Sequence, residues 1–349
     1  MTESCAYNVT LQPSGRCFAA RDDESVLEAA LRQDIVLPYG CRSGTCGMCR
    51  GQLVAGTVAY PWGEPLGLTA AERRGGYALL CQARASSDLV LEAQELTPLA
   101  ELAVKTLPCR VQRMQRLAHD VMALHLKLPR VEAFRFLPGQ YIDILPGEGR
   151  RRSFSLANPP HDSELLELHV RHVEGGRFTG RVFERMKEKD LLRLQGPLGT
   201  FFLREDSGYP LVLVAGGTGF APMKSIIRHV LESGSRRPVH LYWGARTRAD
   251  LYQSEQVEAW QRAYPNFRFT PVLSEEPEAS DWPGRRGLVT EAVLAGEPHI
   301  YANEVYLAGP PAMVEAGRRV FADAGLPPER LYYDAFDFAA DARSDRDEV

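Results

Sequence analysis

The spacing of apolar and polar residues divides the chain into three stretches with different periods. Over residues 1–97, short alternating runs typical of strands surround a helical pattern, VLEAALRQD, whose apolar residues fall on one face behind Ser25 as the helix cap. A capped helical turn is predicted in LTAAERRGG and a closing strand in SDLVLEAQEL. This mixture predicts a small α+β domain. The stretch 98–106 has no clear period and is predicted to be a linker.

Residues 107–206 show many short alternating runs separated by Gly and Pro, such as QYIDILP, RRSFSLA and LLELHVRHV. Regular short strands with these turn residues predict an antiparallel β-barrel or sandwich. One helix is predicted to interrupt the strands, in TGRVFERMKE.

From residue 207 the pattern changes to continuous apolar runs that alternate with helical ones. The run YPLVLVAGG is typical of a strand buried on both faces, and Pro222 and Gly234 mark the first turn and the end of the helix that follows it. Alternating strands and helices predict a parallel α/β domain over 207–338. Residues 339–349 are mostly polar and are expected to form a flexible tail.

Composition and charge exclude several classes of protein. The 349 residues carry a net charge of −4, which gives no general case for nucleic-acid binding. No run reaches the ~18 apolar residues of a membrane span, and the start has no signal-peptide pattern. Seven cysteines in so long a chain do not form a disulfide scaffold. We therefore expect a cytoplasmic monomer with neither nucleic-acid nor membrane partners.

Four cysteines have a spacing that points to a metal centre. They follow C-x4-C-x2-C and then a lone cysteine after 31 intervening residues, and they are Cys41, Cys46, Cys49 and Cys81. This is the plant-type spacing for a [2Fe–2S] cluster. Gly40, Gly44 and Gly47 would let the backbone coil and point N–H groups at the sulfurs.

Zinc is the alternative to the cluster. Structural zinc prefers two paired cysteine knuckles, and here the fourth cysteine has no partner two residues away, so the spacing favours the cluster. The isolated cysteines Cys5, Cys17 and Cys109 are expected to be small buried residues.

The stretch PYGCRSGTCGMC, with YALLCQA after it, resembles a plant-type ferredoxin domain. The resemblance implies a β-grasp fold for residues 1–97. It also implies that the four spaced cysteines are the cluster ligands.

The middle stretch resembles the flavin-binding motifs of the ferredoxin–NADP reductase superfamily at RRSFSLAN and LHVRHVEGGRFTG. The resemblance implies that Arg152 pairs with the flavin phosphate, that Phe154 packs against the ligand and that Ser155 lies close to flavin N5 as a catalytic residue. Paired glycines before a helix start would admit a pyrophosphate. The implied FAD-binding residues are Arg152, Ser153, Phe154, Ser155, His169, Val170, Arg171, Gly175, Gly176, Phe178 and Thr179.

The stretch LVLVAGGTGFAPMKSI predicts a strand, a glycine loop and a helix whose N–H groups can hold a pyrophosphate. It is neither G-x-G-x-x-G nor a Walker loop, but it resembles the NAD(P)H loop of the same superfamily. YLAGPPAM resembles that family's second nicotinamide signature, with Ala308 in place of the usual cysteine. The implied nucleotide-binding residues are Gly216, Gly217, Thr218, Gly219, Arg246, Gly309, Pro310 and Met313.

Two further positions bear on the cofactors. Arg246 and Arg248 could meet a 2′-phosphate or be solvated, and the absence of the pattern of NADPH-preferring relatives favours NADH. Phe336 matches the near-terminal aromatic residue that covers the flavin in this superfamily, which would make it catalytic. Its alternative is a core residue at a strand end.

Taken together, the order of the three stretches resembles the ferredoxin-containing flavoprotein reductases, which include oxygenase reductase components and CDP-6-deoxy-glucoseen reductases. The resemblance implies an NAD(P)H:acceptor oxidoreductase with FAD, a [2Fe–2S] cluster and NADH, with NADPH possible. The implied partner is an electron-accepting protein, either an oxygenase component or a deoxysugar dehydratase. A non-enzymatic iron–sulfur carrier or redox sensor is the third hypothesis.

Overall fold

The computed structural model describes residues 6–96, 102–129, 134–147 and 150–336. The chain forms two compact units, 1–103 and 104–349. The predicted tail at 339–349, residues 98–101 of the predicted linker and Cys5 lie outside the described residues.

The first unit is a mixed β-sheet with short helices, as the α+β pattern predicts. Its elements are β1 (Ala6–Gln12), β2 (Cys17–Arg21), α1 (Val26–Arg32), β3 (Arg50–Ala55), β4 (Val58–Ala59), α2 (Ala70–Arg74), β5 (Tyr77–Leu79), β6 (Arg84–Ala85) and β7 (Leu89–Glu92). The sheet order is β2-β1-β7-β3-β5, with β1 and β7 parallel and the other pairs antiparallel. Strands β4 and β6 form a separate pair.

Helix α1 begins where the sequence predicts it. Ser25 accepts a hydrogen bond from the N–H of Glu28, and the Glu28 side chain accepts one from the N–H of Ser25, which completes a capping box. Val26, Leu27 and Ala30 are buried on the predicted face. The helix leads into the loop that carries three of the four spaced cysteines.

The isolated cysteines differ in burial. Cys109 is buried, as expected, but Cys17 is exposed, so the expectation for Cys17 was wrong. Cys17 begins the edge strand β2, in which Phe18 takes the inward position and Cys17 the outward one.

The second unit begins with a β-barrel. Its elements are β8 (Lys105–Arg116), β9 (Val121–Lys127), β10 (Tyr141–Gly147), β11 (Arg150–Ser155), β12 (Leu166–Arg171), α3 (Arg177–Glu184) and β13 (Leu191–Leu198). All pairs in the order β11-β10-β13-β8-β9-β12 are antiparallel, and a bridge between Leu156 and Leu168 joins the two ends. Periodicity alone left barrel and sandwich open, and this bridge closes the barrel that the resemblance to flavin-binding domains implies. Because β8 begins at Lys105, it includes the last two residues of the predicted linker.

The second unit continues as a parallel sheet flanked by helices. Its elements are β14 (Leu211–Gly216), α4 (Phe220–Glu232), β15 (Val239–Ala245), α5 (Ser254–Ala263), β16 (Phe267–Leu273), β17 (Arg285–Arg286), α6 (Val289–Gly296), β18 (Glu304–Gly309), α7 (Pro311–Asp323) and β19 (Leu331–Ala335). The order is β17-β16-β15-β14-β18-β19, all parallel. Every residue of β14 is buried, as its continuous apolar run predicts.

This topology places β14 and β18 side by side in the sheet. Their carboxyl ends carry the two glycine-rich motifs, so both motifs meet at one edge of the sheet. No helix in the described ranges is long and apolar enough to cross a membrane.

Candidate functional site

The four spaced cysteines converge in the first unit. Three lie in the loop between α1 and β3, and Cys81 follows β5. Cys46, Cys49 and Cys81 are buried, whereas Cys41 is partly exposed. Cys41 is therefore the cysteine of the four that is most open to solvent.

Backbone N–H groups of the loop point at the sulfurs. The N–H groups of Ser43 and Cys46 lie 3.4 Å from Cys41 Sγ, and the N–H of Met48 lies 3.5 Å from Cys46 Sγ. The Thr45 hydroxyl donates to Cys41 Sγ at 3.4 Å. Such donors stabilise thiolates and tune a bound metal centre. Gly44 and Gly47, with φ of 79° and 74°, supply the left-handed turns that this winding needs.

The sulfurs are arranged as two pairs. A hydrogen bond from Cys46 lowers the pKa of Cys41 to about 4, and that bond raises the pKa of Cys46. A bond to Cys81 raises the pKa of Cys49. These interactions pair Cys41 with Cys46 and Cys49 with Cys81.

This pairing separates a cluster from zinc. All four cysteines lie in the described part of the chain, and no three of their sulfurs lie within 4.8 Å of one another. A single tetrahedral zinc would draw all four sulfurs to about 3.8 Å from one another. Two hydrogen-bonded pairs suit two irons, so the residues fit a [2Fe–2S] cluster.

The end of β11 carries the first predicted flavin motif. Alternation along the strand places Arg152 and Phe154 on one side and Ser153 and Ser155 on the other. Ser155 is buried, and the Ser153 hydroxyl donates to Asp143 Oδ1 at 2.7 Å. Arg152 is partly exposed.

The predicted aromatic residues of the flavin site pack on each other. The ring of Phe154 lies 5.5 Å from that of Phe178, and Phe154 packs against the barrel core in which Phe178 is buried. The sequence predicts that Phe154 packs against the ligand. In the structure its ring is half-buried, so the barrel core already takes up part of that surface.

The second flavin motif forms a helix start with no side-chain cap. Gly175 has a φ of 74°, and Gly176 precedes α3. The Thr179 hydroxyl lies 3.2 Å from the carbonyl of Val173, so it braces this turn. A Cβ on Gly176 would lie 2.5 Å from Thr179 Oγ1, so the turn needs glycine there. An uncapped helix start beside a glycine turn fits the pyrophosphate of FAD.

Strand β12 sends its predicted site residues to opposite sides. Val170 is buried in the barrel core, while His169 and Arg171 point outward. His169 Nε2 lies 3.0 Å from Glu167 Oε1, and Lys224 Nζ lies 2.7 Å from the same oxygen. Burial alone would raise the pKa of Glu167, but the bond from His169 and the charge of Lys224 outweigh burial and lower it. Burial lowers the pKa values of His169 and Lys224.

The glycine loop and the second nicotinamide motif are in contact. Residues Gly217–Gly219 form a 3₁₀ turn between β14 and α4. A Cβ on Gly219 would lie 2.0 Å from the carbonyl oxygen of Ala308, and one on Gly216 would lie 2.5 Å from Met313 Sδ. The structure thus brings together these predicted residues: Gly216, Gly217, Thr218, Gly219, Gly309, Pro310 and Met313.

Phe336 lies beside this edge. Its N–H donates to the carbonyl of Gly309 at 2.9 Å, and its side chain packs against the core of the parallel sheet. The core contact agrees with the alternative interpretation, and the role of Phe336 in covering the flavin stays a prediction.

The two arginines after β15 have different surroundings. Arg246 is exposed, with its Nε 3.7 Å from Asp250 Oδ2. Arg248 is held by two carboxylates, at 2.7 Å from Glu276 Oε1 and 2.5 Å from Asp281 Oδ1. Arg246 therefore contacts one carboxylate and Arg248 contacts two.

Sequence reasoning missed several buried or partly buried polar residues near the predicted flavin motif. Glu167, Lys224 and Tyr252 all contact one another or His169. One signal was present: Lys224 interrupts the apolar stretch APMKSII, in a helix whose other neighbours are buried. A buried lysine requires an anionic partner, which the sequence alone does not identify.

Family models match all three parts of the chain. They are a 2Fe-2S iron-sulfur cluster binding domain over residues 9–86, an oxidoreductase FAD-binding domain over 108–203 and an oxidoreductase NAD-binding domain over 213–319. The three predicted cofactor classes are confirmed by these matches.

Curated proteins match nearly the whole chain. A CDP-6-deoxy-L-threo-D-glycero-4-hexulose-3-dehydrase reductase of Yersinia pestis is 38% identical, over 95% of this chain and 98% of the relative. The reductase component of a Pseudomonas phenol 2-monooxygenase is 37% identical, over 96% of both chains.

A solved structure matches as well. The Amycolatopsis cytochrome P450 reductase GcoB has a TM-score of 0.78 and 36% identity, over 95% of this chain and 98% of that one. The ferredoxin reductase in carbazole 1,9a-dioxygenase has a TM-score of 0.71 and 30% identity, over 97% and 100%.

Proposed function

This chain belongs to the ferredoxin-containing flavoprotein reductases of the ferredoxin–NADP reductase superfamily, and from that premise we propose that its electron acceptor is an oxygenase component. It is an NAD(P)H-dependent oxidoreductase with FAD and a [2Fe–2S] cluster. Reductase components of phenol, propane and terephthalate oxygenases are among its relatives, and they support an oxygenase as the acceptor.

The cofactors divide the chemistry among them: when bound, nicotinamide supplies a hydride, FAD accepts it, and the cluster carries single electrons. The protein supplies the binding groups. The glycine loop and the start of α3 offer N–H groups to the two pyrophosphates. Arg152 offers a fork to a flavin phosphate, and the buried Ser155 offers a hydroxyl at the end of β11.

The observation that carries the proposal is the paired arrangement of the four cysteines. The two sulfur pairs, with N–H donors to Cys41 and Cys46, fit a one-electron cluster that passes electrons singly to a protein acceptor. The test is NADH oxidation by the holoprotein with ferricyanide, with cytochrome c and with a phenol 2-monooxygenase oxygenase component. Turnover with all three is expected. Absence of NADH oxidation with every acceptor would favour a non-enzymatic iron–sulfur carrier or sensor.

A deoxysugar dehydratase is the second candidate acceptor. The 38% identity to the Yersinia pestis reductase, over 98% of its length, supports it specifically. Reduction rates with a purified CDP-6-deoxy-hexulose dehydrase and with the oxygenase component, measured at equal concentrations, discriminate between the two. A faster rate with the dehydrase would overturn the oxygenase assignment.

We also propose that NADH is the preferred donor. Arg248 is already paired with Glu276 and Asp281, so one of the two candidate 2′-phosphate ligands is engaged. Steady-state kinetics should give a higher kcat/KM with NADH than with NADPH. The reverse order would show that Arg246 or another cation receives the 2′-phosphate.

We also propose the roles of the assigned site residues, a monomeric state and a cytoplasmic location. The proposed domain and linker boundaries are 1–97, 98–106, 107–206, 207–338 and 339–349. Each matched family model lies within one of the three proposed domains, which supports the boundaries. Light scattering of the purified holoprotein should report the mass of one chain.

A further inference from the structure

The outward face of β12 is unusual for a barrel strand. Leu166, Leu168 and Val170 fill the barrel core, as alternation requires. The outward residues Glu167 and His169 are polar, and the outward side of a small barrel usually meets water. Here both are buried, because α4 and the segment after β15 cover them.

Lys224 crosses from α4 to this face. Its Nζ lies 2.7 Å from Glu167 Oε1, and the lysine is only 4% exposed. Removing both charges from water is costly, so such a pair adds little net stability. A buried pair keeps its short contact in only one arrangement of the two elements that carry it. It therefore fixes α4, the helix that begins at the glycine loop, against the flavin barrel.

His169 extends the contact toward the loop. Its Nδ1 lies 3.0 Å from the Tyr252 hydroxyl, and the Tyr252 ring packs edge-on against Trp243, with ring centres 5.1 Å apart. Trp243 Nε1 donates to the carbonyl of Gly217 at 3.0 Å. A continuous series of buried and partly buried contacts thus leads from the flavin barrel to the backbone of the nucleotide loop.

The last outward residue of β12 reaches the same loop. A Cβ on Gly217 would lie 3.0 Å from Arg171 Nη1, so the guanidinium rests against the turn. Arg171 Nε lies 3.2 Å from Asp120 Oδ2. Two different residues of one strand face, His169 through Tyr252 and Arg171 directly, therefore converge on Gly217.

We propose that the outward face of β12, with Lys224 and Tyr252 as its partners, positions the glycine loop for hydride transfer to the flavin. Hydride transfer needs donor and acceptor atoms at about 3–3.5 Å, and a small displacement of either site lowers the rate strongly. The two cofactors are held by different parts of the second unit, so their spacing depends on a contact of this kind. The proposal rests on the NADH-to-flavin activity and adds positioning residues to it.

The first test is Tyr252→Phe in the holoprotein. The variant loses the hydroxyl that meets His169 but keeps the ring that packs on Trp243 and Phe220. Loss of this partly buried hydrogen bond is expected to lower the rate of hydride transfer from NADH to the flavin about three- to tenfold, with the KM for NADH changed less. NAD⁺ titrated onto the dithionite-reduced variant should give a weaker charge-transfer absorption than with the wild type.

The second test compares Lys224→Met with Arg228→Met. Arg228 lies one turn further along α4 and also contacts the barrel side through Asp162, at 3.0 Å, but this pair is exposed. Lys224→Met should weaken the charge-transfer absorption, and calorimetry should show the barrel and the parallel-sheet part melting separately. Arg228→Met should leave both readouts as in the wild type, because exposed ion pairs contribute little.

The outcomes are distinguishable. An unchanged hydride-transfer rate and unchanged charge-transfer absorption in Tyr252→Phe would overturn the proposal. So would variants that melt earlier but keep both readouts, since this would be a purely structural role. If Lys224→Met does not fold, Tyr252→Phe still decides. Failure of the reductase function itself would appear in the wild type, as absence of NADH oxidation with every acceptor.

Discussion

At the scale of single residues, Gly219 shows how closely the nucleotide site is packed. Its backbone φ of −56° is allowed for any residue, so the backbone conformation does not require glycine at this position. The requirement is space, because a Cβ would lie 2.0 Å from the carbonyl oxygen of Ala308. The two glycine-rich motifs at the ends of β14 and β18 can therefore approach only while this position has no side chain.

Gly219→Ala should separate these motifs. The clash is with backbone, which cannot rotate away, so the second unit is expected to lose about 2–4 kcal/mol of unfolding free energy and to bind NAD⁺ more weakly. Urea unfolding and NAD⁺ titration measure the two effects. Gly208→Ala is the matched control, since no atom lies within 4 Å of its added Cβ. Equal stability of the two variants would contradict the packing argument.

At the scale of elements, the two helices of the first unit have the same type of N-terminal cap but differ in burial. Ser25 caps α1 and Thr69 caps α2, each through a complete capping box. Helix α1 buries four residues, whereas α2 buries none. The same local interaction is therefore coupled to a core in one helix only.

Ser25→Ala is expected to cost about 1 kcal/mol of stability, because the cap and the buried face of α1 act together. Thr69→Ala should cost less, since fraying of α2 exposes no core. The measurement is urea unfolding of the holoprotein, followed by the loss of iron–sulfur absorption. A larger effect from Thr69→Ala would show that α2 supports the cluster loop more than its burial indicates.

The elements also show what could be predicted from the sequence. The cap at Ser25, the face of α1, the buried strand β14 and the spacing of the cysteines follow from local patterns, and the structure has all of them. Local patterns also place Glu167 and His169 on the outward face of β12, but not their partners. Lys224 and Tyr252 lie 57 and 83 residues away from them, and only the packed fold brings them together. Periodicity likewise left barrel and sandwich open, because the closing contact joins distant strands.

At the scale of the whole molecule, the division into two compact units predicts that the two halves of electron transfer can be separated. The cysteine site lies wholly within the first unit, while the flavin and nicotinamide motifs lie in the second. We expect NADH oxidation with ferricyanide to require only the second unit, and reduction of protein acceptors to require the cluster.

Cys81→Ala in the full chain tests this separation. It removes one of the four paired sulfurs, so the iron–sulfur absorption should be lost while FAD remains bound. Ferricyanide turnover should persist, and cytochrome c reduction should nearly disappear. Cys109→Ala is the control: Cys109 is also buried, but it lies in the barrel core and should affect neither acceptor. Loss of ferricyanide turnover in Cys81→Ala but not in Cys109→Ala would mean that the second unit needs an intact first unit to function. The division into two units would then describe packing but not electron transfer.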